Sequence, residues 1–340
     1  MAIFVRTQEI EHEIGDAGRL ALRVTSPDVE MHAVDGATAR VRVRFEIRAT
    51  SEAEADELFE GLRFRAQELA GSLEVTEPKH GPSGIGSLVR LLGIGSGQVD
   101  TSVEVDAPHG CDLRFDGVSA DLTSTGFRSS QQYRTVSGDL VLDRIGGEVR
   151  VRGVSSDISL RADTPLRSLE VNTVSGDISA VAPRVEQLRA VTVSGDVELE
   201  AALADGPEHR VETVSGDLSL GVLGGITVEV RGLSTDVDIR LPHRAEGSRD
   251  RRRYVIGDGA AHLLFSSMSG DVEVRTARRG AGFPTPPTAP VPPTPPTPPE
   301  APRGADLTLD EDEQLGVLRA LERGEIDVDE AARRLGGEGR

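Results

Sequence analysis

The chain has 340 residues, 57 acidic and 38 basic, and its net charge of −19 argues against nucleic-acid phosphate or an anionic membrane as a partner. A single cysteine, Cys111, leaves no intramolecular disulfide and no cysteine-based zinc site. Aromatic residues are 3% of the chain and tryptophan is absent, so a core must be thin and filled by small β-branched side chains.

Residues 1–100 read as a β-rich segment with one short helix. Strands are expected at 2–6, 19–25 and 39–47, the last alternating apolar and charged residues throughout. Ser51-Glu52-Ala53-Glu54 has the spacing of a capping box and starts a helix that runs to about Glu60. A strand pair is expected around Ala70-Gly71-Ser72. Residues 81–97 are rich in glycine but lack the Gly-Lys-Ser/Thr of a phosphate loop. They read as a flexible loop with an apolar turn, and Leu88, Leu91 and Leu92 are a candidate docking spot for a partner. The N-terminus has neither the basic cap nor the apolar run of a signal peptide, and no stretch is apolar for the roughly 18 residues a spanning helix needs. The expected location is therefore the cytoplasm or the inner face of the envelope.

Residues 101–277 carry a repeat. Val-Ser-Gly-Asp stands at 136–139, 174–177, 193–196 and 214–217, and altered copies stand at 118–121, 154–157, 233–236 and 268–271. The aspartates are Asp121, Asp139, Asp157, Asp177, Asp196, Asp217, Asp236 and Asp271, and all but the last recur at a period near 20 residues. Such a period marks a stacked architecture, either a β-solenoid or a flattened repeat sandwich. In the copy at 193–199, Val193, Gly195, Val197 and Leu199 share one phase, whereas the residues before Val193 follow the other. The expected bend therefore falls between Thr192 and Val193, with Val193 on the inner side. Stacked in register, the eight aspartates form a ladder whose expected role is structural: Asp and Ser accept backbone N–H groups at a corner. A row of Ca²⁺ sites is the second reading, weakened because each repeat supplies a single carboxylate where calcium takes six to eight oxygens.

The long last interval holds Arg244, Arg249, Arg251, Arg252 and Arg253, read as a solvated excursion between strands. Residues 278–304 form a proline-rich linker whose core, 284–302, reaches roughly 60 Å when extended. Residues 305–340 have helical spacing, with Leu315, Leu318 and Leu321 on one face, Gly324 as a stop, and Asp327 opening a second helix. This expected hairpin, with Ile326 and Leu335 closing it, is the second candidate partner-binding or self-association module.

No catalytic pattern emerges. The seven histidines have no metal-ligand spacing, no Gly-x-Ser-x-Gly elbow occurs, and the Ser of the motif recurs once per repeat as a corner residue would. No cofactor is expected, and the chain reads as a non-enzyme.

Val103-x-Val105-x-x-Pro108-x-Gly110-x-x-Leu113, followed by serial Ser-Gly-Asp strands, resembles the bacterial "putative adhesin" β-strand-repeat domain of unknown function, over roughly residues 15–276. The tail around Leu318, Leu321, Gly324, Ile326, Glu330 and Ala331 resembles short helical hairpins attached to such repeats in envelope-stress proteins. The resemblance implies a β-repeat scaffold with a binding or sensing role near the envelope and supplies no catalytic residues. A surface-exposed adhesin is the alternative, and a carbohydrate-active solenoid the third, weakened by the lack of aromatic platforms.

Overall fold

The computed structural model describes residues 2–78, 99–248 and 251–277, and within them every regular element but one is a strand. The N-terminal part comprises β1 (Ala2–Glu13), β2 (Arg19–Arg23), β3 (Asp28–Val34), β4 (Thr38–Ala49), α1 (Glu52–Leu62), β5 (Arg65–Leu69), β6 (Ser72–Thr76) and β7 (Val99–Pro108). In β4 the apolar residues Val41, Val43, Phe45 and Ile47 are all buried, so the alternation is realised as an inner and an outer face. β1, β4 and β7 pair antiparallel. Their outer face is laced by ion pairs, with Arg40 on Glu9 and Glu11, and Arg42 on Glu104 at 2.6 Å.

Helix α1 begins where the capping box places it. Ser51 Oγ accepts from the Glu54 N–H, and the Glu54 carboxylate accepts from the Thr50 N–H at 2.8 Å. Its Ala55 and Leu58 are buried, and Phe59 and Phe64 stand edge-on to Phe45 with centroids 5.5 and 6.1 Å away. Gln8 fastens the strand after the helix, its amide bonding both the C=O and the N–H of Phe64.

The repeats form a coil with two strands per turn. Sheet one collects β8 (Asp112–Asp116), β10 (Ser130–Arg134), the second half of β11 (Leu140–Arg152), the second half of β12 (Ile158–Asn172), β14 (Leu188–Val191) and β16 (Glu208–Glu212). Sheet two collects β9 (Leu122–Thr125), the first halves of β11 and β12, β13 (Ile178–Val185), β15 (Val197–Leu203) and β17 (Leu218–Val222). All these pairings are parallel, as stacked rungs require, and the register shifts only at Asp143–Glu148, Arg161–Leu166 and Ala182–Arg184. β2 and β3 lie against β8 and β9, which joins the N-terminal strands to the same stack. One hydrophobic core runs from Ile10 to Val274. The fold is a flattened, two-faced β-solenoid.

Between Tyr133 and Tyr254 the chain has no aromatic residue, and the rungs there are filled by Leu, Ile, Val and Ala. Within this stretch the buried His209 bonds at both ring nitrogens: Nδ1 accepts from the Leu188 N–H at 3.2 Å, and Nε2–H donates to the Ala204 carbonyl at 2.8 Å. At the last rungs Arg275, 13% exposed, reaches Glu198 and Glu200 at 2.8 and 2.6 Å.

Chain order and stacking order part company at the C-terminal end. After β17 the chain forms β18 (Ile226–Ser234) and β19 (Val237–Ile239) one place too far along. It then makes the hairpin of β20 (His243–Ser248) and β21 (Arg251–Ile256), and returns as β22 (Ala261–Ser269) and β23 (Val272–Thr276) to fill the skipped rung. β22 lies between β16 and β18, and β23 between β17 and β19. This is why Asp236 and Asp271 are 35 residues apart yet directly stacked. The arginine-rich interval, expected as a solvated excursion, contributes two ordered strands: β21 pairs antiparallel with β18 and β20 with β21, extending sheet one.

Candidate functional site

Each Val-Ser-Gly-Asp segment is a corner joining a strand of sheet one to a strand of sheet two. On the inward strand the even residues Leu188, Ala190 and Thr192 are buried; beyond the corner the odd residues Val197 and Leu199 are. The change of phase is spread across Val193 to Asp196, none of which is buried. The expectation that Val193 belongs to the inner side is therefore overturned. Thr192 closes the inner side, so alternation aims Val193 outward, and the corner begins at the valine instead of after it.

The consequence repeats at seven of the eight corners. Val118, Val136, Val154, Val174, Val193, Val214 and Met268 are exposed, from 43% at Val214 to 58% at Met268. The N–H groups of Ser137, Ser155, Ser175, Ser194, Ser215 and Ser269 donate to the carbonyl of this residue one rung below, as Ser194 does to Val174 and Ser215 to Val193, both at 2.9 Å. The serines themselves are bridged in one line from Ser119 to Ser269. The apolar side chains thus stand in single file, about 4.8 Å apart, for about 29 Å.

Beside this file runs the aspartate ladder. The N–H of each motif aspartate donates to the Oδ1 of the aspartate one rung below: Asp139 to Asp121 at 2.8 Å, Asp196 to Asp177 at 2.8 Å, Asp271 to Asp217 at 2.7 Å and Asp236 to Asp271 at 3.0 Å. Asp157 and Asp177 continue the line. All eight are exposed, and in every one but Asp236, which ends the line, one carboxylate oxygen accepts a corner bond while the residue faces water. Among the described residues no group of three or more His, Cys, Asp or Glu side chains could hold a metal ion. At the C-terminal end the ladder lines an open acidic trough of about 780 Å³ that includes Glu198, Asp238 and Glu273.

The corner has room for one inner side chain, and the sequence supplies it from either of two positions. Where the third motif residue is glycine, the residue before the motif is Thr135, Thr173, Thr192, Thr213 or Ser267. Where the third residue is Ala120, Ser156 or Thr235, the residue before the motif is Gly117, Gly153 or Gly232. A Cβ added at Gly153 would lie 3.3 Å from both Ser156 Cβ and Thr173 Oγ1. A Cβ at Gly138 or Gly176 would overlap the carbonyl oxygen of the rung below, and both glycines have positive φ. The altered motif copies are compensated, not decayed. This exchange is written in the sequence in all eight copies, and it becomes legible once the residue before the motif is aligned with the third residue within it.

Cys111 is fully buried, and burial pushes its thiol up to about 12, which removes it as a nucleophile. The candidate docking residues Leu88, Leu91 and Leu92, and the tail residues Leu315, Leu318, Leu321, Ile326 and Leu335 with their expected hairpin, lie outside the described residues, as does the proline-rich linker. No helix among the described residues is long and apolar enough to cross a membrane.

The family model described as Toastrack DUF4097 matches residues 17–275. No curated protein matches the chain. Among solved structures, a "putative cell adhesion protein" from Clostridium sporogenes is 9% identical, covering 80% of this chain and 100% of that one, with a TM-score of 0.24. A "putative lipid binding protein" from Parabacteroides distasonis is 12% identical, covering 80% and 97%, with a TM-score of 0.36. A "putative adhesin" from Parabacteroides merdae is 8% identical, covering 80% and 96%, with a TM-score of 0.35.

Proposed function

The chain belongs to the Toastrack DUF4097 family, and on that premise we propose that it is a non-enzymatic protein-binding scaffold whose recognition surface is the corner ridge. The observation that carries this reading is the single file of exposed apolar side chains from Val118 to Met268. Burying seven such side chains in the stack would favour folding, yet seven successive corners each turn one outward. A continuous exposed apolar line rimmed by charge is how a protein surface is marked for contact.

The neighbouring carboxylates define the chemistry of what fits. A protein face that alternates apolar and cationic groups can lie along the ridge, its apolar groups on the valines and its cations on the aspartates. The rung spacing of about 4.8 Å is close to the 5.4 Å pitch of an α-helix and shorter than the roughly 6.6 Å between same-face residues of a strand. A helix with a basic amphipathic face is therefore the best-matched form.

The test is affinity capture from native extract with the full chain and with a Val136→Ser, Val174→Ser, Val193→Ser variant. Because these side chains face solvent, the variant keeps its melting temperature within a few degrees. Partners should be lost from the variant and weakened by salt on the native chain. Retention of every partner by a folded variant rejects the ridge as the surface.

A further inference from the structure

We propose that the C-terminal end of the stack is completed by a second copy of this chain, the two copies exchanging their β20–β21 hairpins across a two-fold axis. This goes beyond the ridge and is independent of it. In the terminal rung, β18 belongs to sheet one and β19 to sheet two. Beyond that rung sheet one continues for two more strands, β21 and β20, whereas among the described residues no strand continues sheet two past β19. The end is a step, two strands high.

The step leaves apolar surface uncovered. Val237, Ile239, Leu241 and Tyr254 pack on the core from one side only and are partly exposed. Residues on β21 whose partners on β18 are buried must share their inner face: Tyr254 lies opposite Val228 and Ile256 opposite Ile226. Across β20 this inner face continues through Ala245 and His243, both exposed, with the His243 ring edge-on to Tyr254 at 5.8 Å. Arg252, opposite the buried Val230, belongs to the same face, and its Nη2–H donates to the Thr235 carbonyl at 2.7 Å.

A second copy fits this step for a geometric reason. Rotation by 180° about an axis parallel to the strands brings sheet one of the second copy opposite sheet one of the first. The overhanging hairpin of each then fills the two strand positions missing from sheet two of the other. Such a rotation keeps strand sense. Because the chain reverses at each corner, β19 opposes β18, and β20 has the sense of β18 through two antiparallel pairings. β20 of one copy thus meets the free edge of β19 of the other in antiparallel orientation, twice, which removes two exposed sheet edges at once. Charge agrees with shape. Residues 243–256 contain five arginines against Glu246 and Asp250, whereas the end of sheet two that would receive the hairpin carries Asp236, Asp238, Asp271 and Glu273 against the one cation Arg240, which pairs with Asp238 and Glu273.

The experiment is sedimentation equilibrium on the full chain. The native chain should sediment as a dimer that weakens as salt rises. Ala245→Lys places a charge that water solvates in the free chain but the dimer would bury; it should weaken association at least tenfold without lowering the melting temperature. Arg244→Glu and Asp238→Arg each set like charges across both β19–β20 contacts and should also weaken association, while an equimolar mixture of the two variants restores opposite charges at both contacts and should recover the dimer. A native chain that is monomeric throughout the accessible range overturns the proposal. So does a dimer indifferent to Ala245→Lys, or a monomer whose amides at 237–245 are already protected from hydrogen exchange by another occupant.

Discussion

The two ends of this solenoid solve the same problem in opposite ways. At the N-terminal end the core is closed by a helix and by bulk: α1 lays Ala55 and Leu58 over the sheet, and Phe45, Phe59 and Phe64 fill the wide space beneath it. At the C-terminal end no helix among the described residues lies beyond the last rung, the partly exposed Tyr254 is the aromatic side chain on its outer side, and sheet one simply overhangs sheet two. Between them lies a stretch without aromatic residues, in which each rung adds the same few small side chains and the same outward valine. The repeat dictates the interior and the corner, while each end needs its own device because a rung cannot cover its own last face.

The largest expected effect lies in the N-terminal cap. Phe45→Ala removes the ring on which two others rest and should cost about 3–5 kcal/mol by denaturant unfolding. Tyr254→Ala at the partly exposed far end should cost clearly less; equal losses would mean that the two ends are closed alike.

Next is the corner exchange. Gly153→Thr forces a second side chain into a space already held by Ser156 and should cost about 1–3 kcal/mol. Adding Ser156→Gly recreates the pattern of the neighbouring corners, so a double-mutant cycle should recover most of the loss. Additive losses would show that the two positions do not share one space.

A smaller effect is expected on the ladder. Asp177→Ala removes the acceptor for the Asp196 N–H and should cost about 1 kcal/mol, whereas Asp177→Asn keeps an oxygen there and should be close to neutral. The smallest is a pH effect in the aromatic-free stretch. Burial holds His209 below the usual histidine range, with Arg184 acting in the same direction. Its folded form is therefore neutral while the unfolded chain takes up a proton below about pH 6.5, so stability falls as pH drops through that value. His209→Gln should flatten this part of the melting-temperature profile between pH 7 and 5; an unchanged slope would place the acid sensitivity elsewhere.

Much of this was legible in the sequence, and the failures have physical reasons. The alternation at 39–47, the capping box at Ser51 and the fixed interval between aspartates gave β4, α1 and the coil, because each is a local pattern with one structural solution. The outward aim of Val193 was misread because a hydrophobic residue in a strand is normally counted inward. Only the buried Thr192 beside it shows otherwise. The displaced rung could not be read from spacing at all: the interval between Asp236 and Asp271 is equally consistent with a loop and with a hairpin that lets the chain return to a skipped place. His209 carries no motif, since its partners are backbone groups of Leu188 in β14 and Ala204 just past β15.

That partners bind at the corner ridge, and not on a flat face of the solenoid, is our proposal. It is tested most directly by placing a photo-crosslinking side chain at Val174 on the ridge and, separately, at Arg189 on the outer face of sheet one, both exposed. After irradiation in native extract the account predicts discrete crosslinked products from position 174 and none above background from position 189. Products of equal yield from both positions, or from 189 alone, would contradict it.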